Sequence, residues 1–218
     1  MFLQYPEGAT PLFDFSDLLV PWVQNIGDLN RVEAENISQA QKKYLRPFNK
    51  DISSWFTYRE LFAIHKMMFG RVWGWAGKQR KSITSIGVRP GLIALEIAEL
   101  CAEVASWSTD PINFSFLEKS ARIHHRLVQI HPFENGNGRF SRLVADRSLL
   151  GWNCHHPIWP DHLHREGAAR KHYIQTLKAA DRGDYYPLVS FMEELGARSG
   201  VIQESEFAKA GARNLHQG

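Results

Sequence analysis

Apolar positions along this chain recur mostly at three- and four-residue intervals, the spacing of a helix face turned toward a core. Leu29, Val32 and Ile37, with acids between them, predict a helix from about Asn30 to Tyr44, stopped by Pro47. Residues 57–69, TYRELFAIHKMMF, place Leu61, Phe62, Ile64, His65, Met68 and Phe69 on a helical pattern. Thr57 followed by Glu60 reads as a capping box, and Gly70 ends that run. The same periodicity predicts helices over 92–106, 116–129, 139–150, 164–181 and 184–198. Asp184 is placed to cap the last, whose apolar face carries Leu188, Phe191, Met192 and Leu195. One stretch departs from this rule. RKSITSIGVRP, residues 80–90, has strand-like character around Ile83, Ile86 and Val88, with turn signals at Gly87 and Pro90-Gly91. It predicts a short β-hairpin. The expected class is therefore mostly α, a helical bundle with one small β-hairpin. Residues 1–54 read as an arm and an N-terminal helix, 55–198 as the core and 199–218 as a polar tail.

Composition narrows the picture modestly. With 218 residues the chain suits one domain with a small appendage, and it is long enough to bury a core. A formal net charge of +3 is too weak to argue for a nucleic acid or a membrane surface as partner. Cys101 and Cys154 form no close-set motif, so two free thiols in a reducing compartment are expected. The opening MFLQYPEGATPLFDF lacks a basic segment and an uninterrupted apolar core, and does not read as a signal peptide. No run approaches the roughly 18 apolar residues that span a bilayer. A cytoplasmic protein with no membrane and no direct nucleic acid contact is expected.

The chemistry concentrates in HPFENGNGRFSR, residues 131–142. Glycine within a helix costs about 1 kcal/mol relative to alanine, so Gly136 and Gly138 argue for a break between two helices. Pro132 disfavours the helical region for His131, which places that histidine at a helix exit. The next helix begins near Gly138, and its first amides have no partner within the helix. With the Gly136-Asn137-Gly138 backbone they can form a nest of N–H donors, strengthened by the helix dipole. Arg139 and Arg142 add forked donors suited to phosphate oxygens. These residues read as a polyphosphate cradle. A carboxylate beside it, Glu134, suits Mg²⁺, which bridges phosphate oxygens and keeps several waters. His131 suits a general base that takes the proton of an attacking hydroxyl.

Other residues weigh less. His124-His125 and the run His155, His156, His162 and His164 show no HExxH and no zinc spacing, and read as packing or orienting groups. Trp73, Trp75 and Trp107 read as core anchors. Lys78, Arg80, Lys81 and Arg89 form a basic stretch that is either a solvated surface or a docking edge for an acidic target segment.

At residues 131–142 the chain resembles the Fic (Fido) family, whose signature is His-Pro-Phe-acid-x-Gly-Asn-Gly-(Arg/Lys)-x-x-Arg. The preceding IHHRLVQI resembles the helix leading into that signature, and residues 80–88 sit where the family has its flap. The resemblance covers about residues 55–195, and the arm MFLQYPEGATPL is similar to the mobile mystery protein B group. It implies transfer of AMP from ATP, with Mg²⁺, to a Ser, Thr or Tyr hydroxyl of a target protein, and release of pyrophosphate. Carried over, His131 is the base and Glu134 holds the metal. Gly136, Asn137 and Gly138 form the anion hole. Arg139 meets the β-phosphate and Arg142 the γ-phosphate. Ser82, Ile83, Thr84, Ser85 and Ile86 are the flap that docks the target. Another nucleotide or phosphoryl donor, or a nucleotide-binding module without catalysis, are the alternatives. Many members carry an inhibitory helix ending in Glu followed by Gly or Asn. Here Glu35-Asn36 fits that ending, although Arg31 stands where Ser or Thr is expected, and Glu33 is the second candidate. Glu35 is then expected to pair with Arg142. The family also implies a small antitoxin-like partner as another source of inhibition.

Overall fold

Several helices begin where a short polar side chain closes the first turn. Asn25, Thr57 and Ser115 accept hydrogen bonds from the amides of Asp28, Glu60 and Glu118 respectively. In the computed structural model, residues 15–48, 50–107, 114–160, 163 and 167–198 are described. The first fourteen residues of the expected arm, the tail from 199, and His162 and His164 lie outside them.

The elements are α1 (Ile26–Tyr44), α2 (Ile52–Trp55), α3 (Tyr58–Phe69), a 3₁₀ turn at Pro90–Leu92, α4 (Ile93–Ser106), α5 (Phe116–Ile130), α6 (Asn137–Gly151), α7 (Ala168–Ala180) and α8 (Tyr186–Arg198). The expected helices form, with shifted ends. Helix α1 starts four residues before Asn30, because the Asn25 cap pulls Asp28 into its first turn. Asp184 meets the start of α8 through the Tyr186 amide. The single-turn α2 carries no periodicity of its own. It forms on the Asp51 cap and on burial of Ile52 and Trp55.

Helix α5 packs against α4, α6 and α8, while α1 lies on α3 and α7 on α8. It serves two cores. Ile123, Leu127 and Ile130 join Leu61, Ile64, Ile97, Phe133 and Phe140 in the larger one. Leu117 and Ala121 join Tyr173, Leu188 and Met192 in the smaller. Each fully buried aliphatic side chain stabilises the fold by about 1.5–3 kcal/mol. Trp73, Trp75 and Trp107 are buried in the larger core, as expected of aromatic anchors. Both cysteines are free thiols, and burial raises Cys101 to about 11, so it stays protonated.

The segment after α3 departs from expectation. Residues 81–89 form no strand, and among the described residues the one β contact is a bridge between Leu18 and Trp73. The expected hairpin is replaced by an irregular loop. Its carbonyls are taken by other donors: Arg80 bonds Ser82 O and Val88 O, and Thr84 Oγ1 bonds Ile86 O. Ile83 at the tip is 86% exposed, so no apolar face holds a strand register there. Among the described residues no helix is long and apolar enough to cross a membrane.

Candidate active site

The turn between α5 and α6 carries the motif. Helix α5 ends at Ile130, and His131 takes a left-handed backbone, φ 52° and ψ 61°. A residue with a Cβ pays about 1–2 kcal/mol there, so its surroundings must hold it. The Arg80 guanidinium donates to His131 O at 2.5 Å, and Arg80 N donates to Pro132 O at 2.9 Å. The His131 side chain is buried. Desolvation, then the charge of Arg80, lowers its pKa to about 4. The imidazole is therefore neutral at pH 7, the form a general base requires.

Phe133 plugs the loop into the larger core, edge-on to Phe140. The Asn137 side chain is buried beneath the loop. Its Oδ1 accepts from Phe133 N at 3.0 Å, and its Nδ2 donates to Phe133 O at 2.8 Å. Only the backbone of Asn137 is thus left to face an anion. His65 braces the loop from α3. Gly77 N donates to its Nδ1, which leaves Nε2 to donate to Asn135 O, each at 3.0 Å. Its ring stacks on Phe133 at 3.6 Å between centroids. Burial lowers His65 to about 3, so it acts as a neutral strut.

The two motif glycines do different work. Gly136 caps α6 at φ 79°, and a Cβ there would lie 2.5 Å from the Phe69 ring. Gly136 is a requirement of the fold. Gly138 has open space: a Cβ there would meet nothing closer than Arg142 Nη1 at 3.8 Å. No side chain caps α6, so Gly138 lies uncrowded at the positive end of a helix dipole. A helix start of this kind is a candidate anion site.

Arg139 and Arg142 flank it, both half-buried. Arg142 lies over Trp159 and Tyr173, 5.7 and 5.9 Å from their ring centres. Arg139 lies over Phe69, and its Nη1 pairs with Glu33 Oε2 at 2.6 Å. Glu33 is buried on α1 and also accepts from Trp73 Nε1 at 2.7 Å. The pairing expected between Glu35 and Arg142 does not form. Glu35 sits on the exposed face of α1, and Glu33, two residues earlier, faces the motif and meets the first arginine. Asn36 is structural: it bonds Met67 O and Arg71 N and fixes α1 to the end of α3.

Glu134 is half-buried. Its carboxylate accepts from Lys81 N at 3.1 Å and from Ser82 Oγ at 2.5 Å, joining the motif to the 81–89 loop. Among the described residues no three His, Cys, Asp or Glu side chains gather as a metal site. One carboxylate beside a phosphate cradle suits Mg²⁺, whose other ligands are phosphate oxygens and water.

Two residues of this region carried little signal. Arg80 read as part of a basic surface but is 1% exposed, whereas Lys78, Lys81 and Arg89 are exposed. His65 lay on the buried face with Leu61, Ile64 and Met68, and that position was its signal. His124 packs beside the motif, against the Tyr173 and Trp159 rings that Arg142 also covers, while His125 points to the far side of α5. They bond Tyr173 on α7, and Asp181 and Tyr185 beyond it.

Residues 55–149 match the model of the Fic/DOC family. The protein adenylyltransferase Fic of Aedes aegypti is 31% identical over 165 residues, which cover 73% of this chain and 32% of that protein. This chain spans about a third of the length of the curated relatives it matches. The fold is similar to that of Fic-1 (residues 134–508) from C. elegans, with a TM-score of 0.62 and 21% identity over 84% of this chain and 54% of that one. It is also similar to BepC of Bartonella tribocorum, solved with bound AMPPNP. There the TM-score is 0.58 at 17% identity, covering 79% of this chain and 88% of that one.

Proposed function

The chain belongs to the Fic/DOC family, and from that premise we propose that it transfers AMP from ATP to a Ser, Thr or Tyr hydroxyl of a target protein. The observation that carries this reading is one juxtaposition. A buried, neutral His131, held in a left-handed turn, leads within six residues into the open N-terminus of α6 and its two arginines.

In this reading the target hydroxyl oxygen attacks the α-phosphorus of ATP and its proton passes to the His131 imidazole. The bond from the α-phosphorus to the bridging oxygen breaks, and pyrophosphate leaves. The backbone of Gly136, Asn137 and Gly138 faces the phosphates. Arg139 takes the β-phosphate and Arg142 the γ-phosphate. Glu134 would hold Mg²⁺, which when bound offsets negative charge on the phosphate oxygens. Ser82, Ile83, Thr84, Ser85 and Ile86 would dock the target segment along their backbone, with Ile83 already presented to solvent.

Glu33, in place of Glu35, is the proposed inhibitory residue. A carboxylate on Arg139 competes with a phosphate for the same guanidinium. The contact is made within the chain, so α1 does here what an antitoxin-like partner would otherwise do.

Intact-mass spectrometry after incubation with ATP and Mg²⁺, with and without cell lysate as a source of targets, tests the reading. An AMP adduct on this protein or a target, absent with His131→Ala, is expected. ATP binding without any adduct would leave a nucleotide-binding module instead. An adduct formed only from another nucleotide would change the donor.

A further inference from the structure

We propose that Arg80 is a positioning residue that holds His131 and both ends of the 81–88 loop in one geometry. Its guanidinium is buried, and it donates to four carbonyls that belong to two strands of chain. Nε donates to His131 O at 2.5 Å and Nη1 to Ser82 O at 2.7 Å. Nη2 donates to Val88 O at 2.5 Å and to Ile130 O at 3.5 Å. The backbone repeats the stitch, with Arg80 N on Pro132 O and Val88 N on Ile130 O.

Each part of this arrangement needs a fork of donors. The carbonyls of Ile130 and His131 lie at the C-terminal end of α5, where the helix dipole places partial negative charge. His131 O is directed by a left-handed backbone that the chain would otherwise leave. Ser82 O and Val88 O come from the start and the end of the loop, so one planar group closes it. Only guanidinium offers five N–H donors in a fixed plane. A lysine ammonium at this depth could not span the same four oxygens, and any left unpaired would carry a desolvation cost. Gly87 is shaped to the same end: at φ 114°, a Cβ there would fall 2.7 Å from Arg80 Nη2 and 2.6 Å from His131 Cβ. Through Lys81 N and Ser82 Oγ the loop in turn holds Glu134. Arg80 thus sets base, metal carboxylate and loop together while touching no substrate.

Only the kinetic part of the test rests on the AMP-transfer reading. Full-length wild type, Arg80→Lys and Gly87→Ala would be compared by amide hydrogen exchange, and by the rate of self-modification against ATP concentration. Gly87→Ala keeps the arginine but presses a methyl group on both Arg80 Nη2 and His131 Cβ, so if Arg80→Lys does not fold it tests whether this shared packing holds the two segments. The expected result is at least tenfold faster exchange confined to residues 81–88 and 131–135. The rate at saturating ATP falls at least tenfold, with half-saturating ATP within threefold of wild type. Unchanged exchange in a folded variant, an unchanged rate, or a loss that appears only as weaker ATP binding would overturn the proposal. If wild type itself forms no adduct, the transfer reading loses its support and the exchange result alone decides the role of Arg80.

Discussion

Glu33 Oε2 stands 2.6 Å from Arg139 Nη1, and this ion pair joins α1 to the first turn of α6 beside the proposed phosphate site. Glu33→Gln keeps an oxygen for Trp73 Nε1 but removes the charge that competes for Arg139. ATP affinity is expected to rise about fivefold, close to 1 kcal/mol, with a matching rise in self-modification. Glu35→Gln, on the exposed face, is expected to change neither. Titration calorimetry with ATP and intact-mass time courses measure both.

The low pKa of His131 sets a pH profile. A histidine that titrates at about 4 stays neutral, and able to accept a proton, well below the ordinary value of 6.5. The transfer rate at saturating ATP is therefore expected to hold from pH 7 to about pH 5 and to fall as pH passes through about 4. A profile that halves near 6.5 would overturn the reading of His131 as a buried base.

Gly136 and Gly138 are expected to separate folding from binding. Gly136→Ala forces a Cβ onto Phe69 at positive φ, and a loss of about 2–5 kcal/mol is expected from strain and overpacking together. Gly138→Ala, in open space on the first turn of α6, is expected to fold at least as stably as wild type. Its methyl group fills the cradle and should weaken ATP binding at least tenfold. Urea denaturation and ATP titration of both variants distinguish the two roles.

His65→Phe keeps the ring stacked on Phe133 but removes the acceptor of Gly77 N. One part-buried amide left without its acceptor predicts a loss of about 1–3 kcal/mol. The pH dependence is informative as well. Wild type holds His65 neutral down to about 3, while the unfolded chain protonates near 6.5. Between those values the unfolded state binds the extra proton, so stability falls as pH falls. His65→Phe removes this contribution, and its stability deficit relative to wild type is expected to shrink from pH 6.5 toward pH 4.

The helices were legible because their faces repeat at 3.6 residues and their caps are local. Thr57, Ser115 and Asp184 each act within three residues of themselves. The cradle was legible for the same reason: its parts are consecutive. What the chain order concealed were contacts across it. Arg80 looked like one of four surface cations, and its burial depends on carbonyls some fifty residues away. The choice of Glu33 over Glu35 is a matter of helical phase, and two residues on a helix turn a side chain by about 200°. The loop at 81–89 carried strand-like residues, but a strand needs a partner edge, and guanidinium took the carbonyls first.

The contact of Gly87 with both His131 and Arg80 has a consequence for redesign. The root of the loop and His131 share one small volume, so in the proposed reaction they cannot be tuned independently. A change made at Gly87 or Val88 to alter acceptor choice would be felt as a change in reactivity. The exposed tip is decoupled by comparison: Ile83 and Ser85 project into solvent. If the loop docks a target as proposed, a library confined to the tip varies what is docked while leaving the Gly87–His131 packing alone.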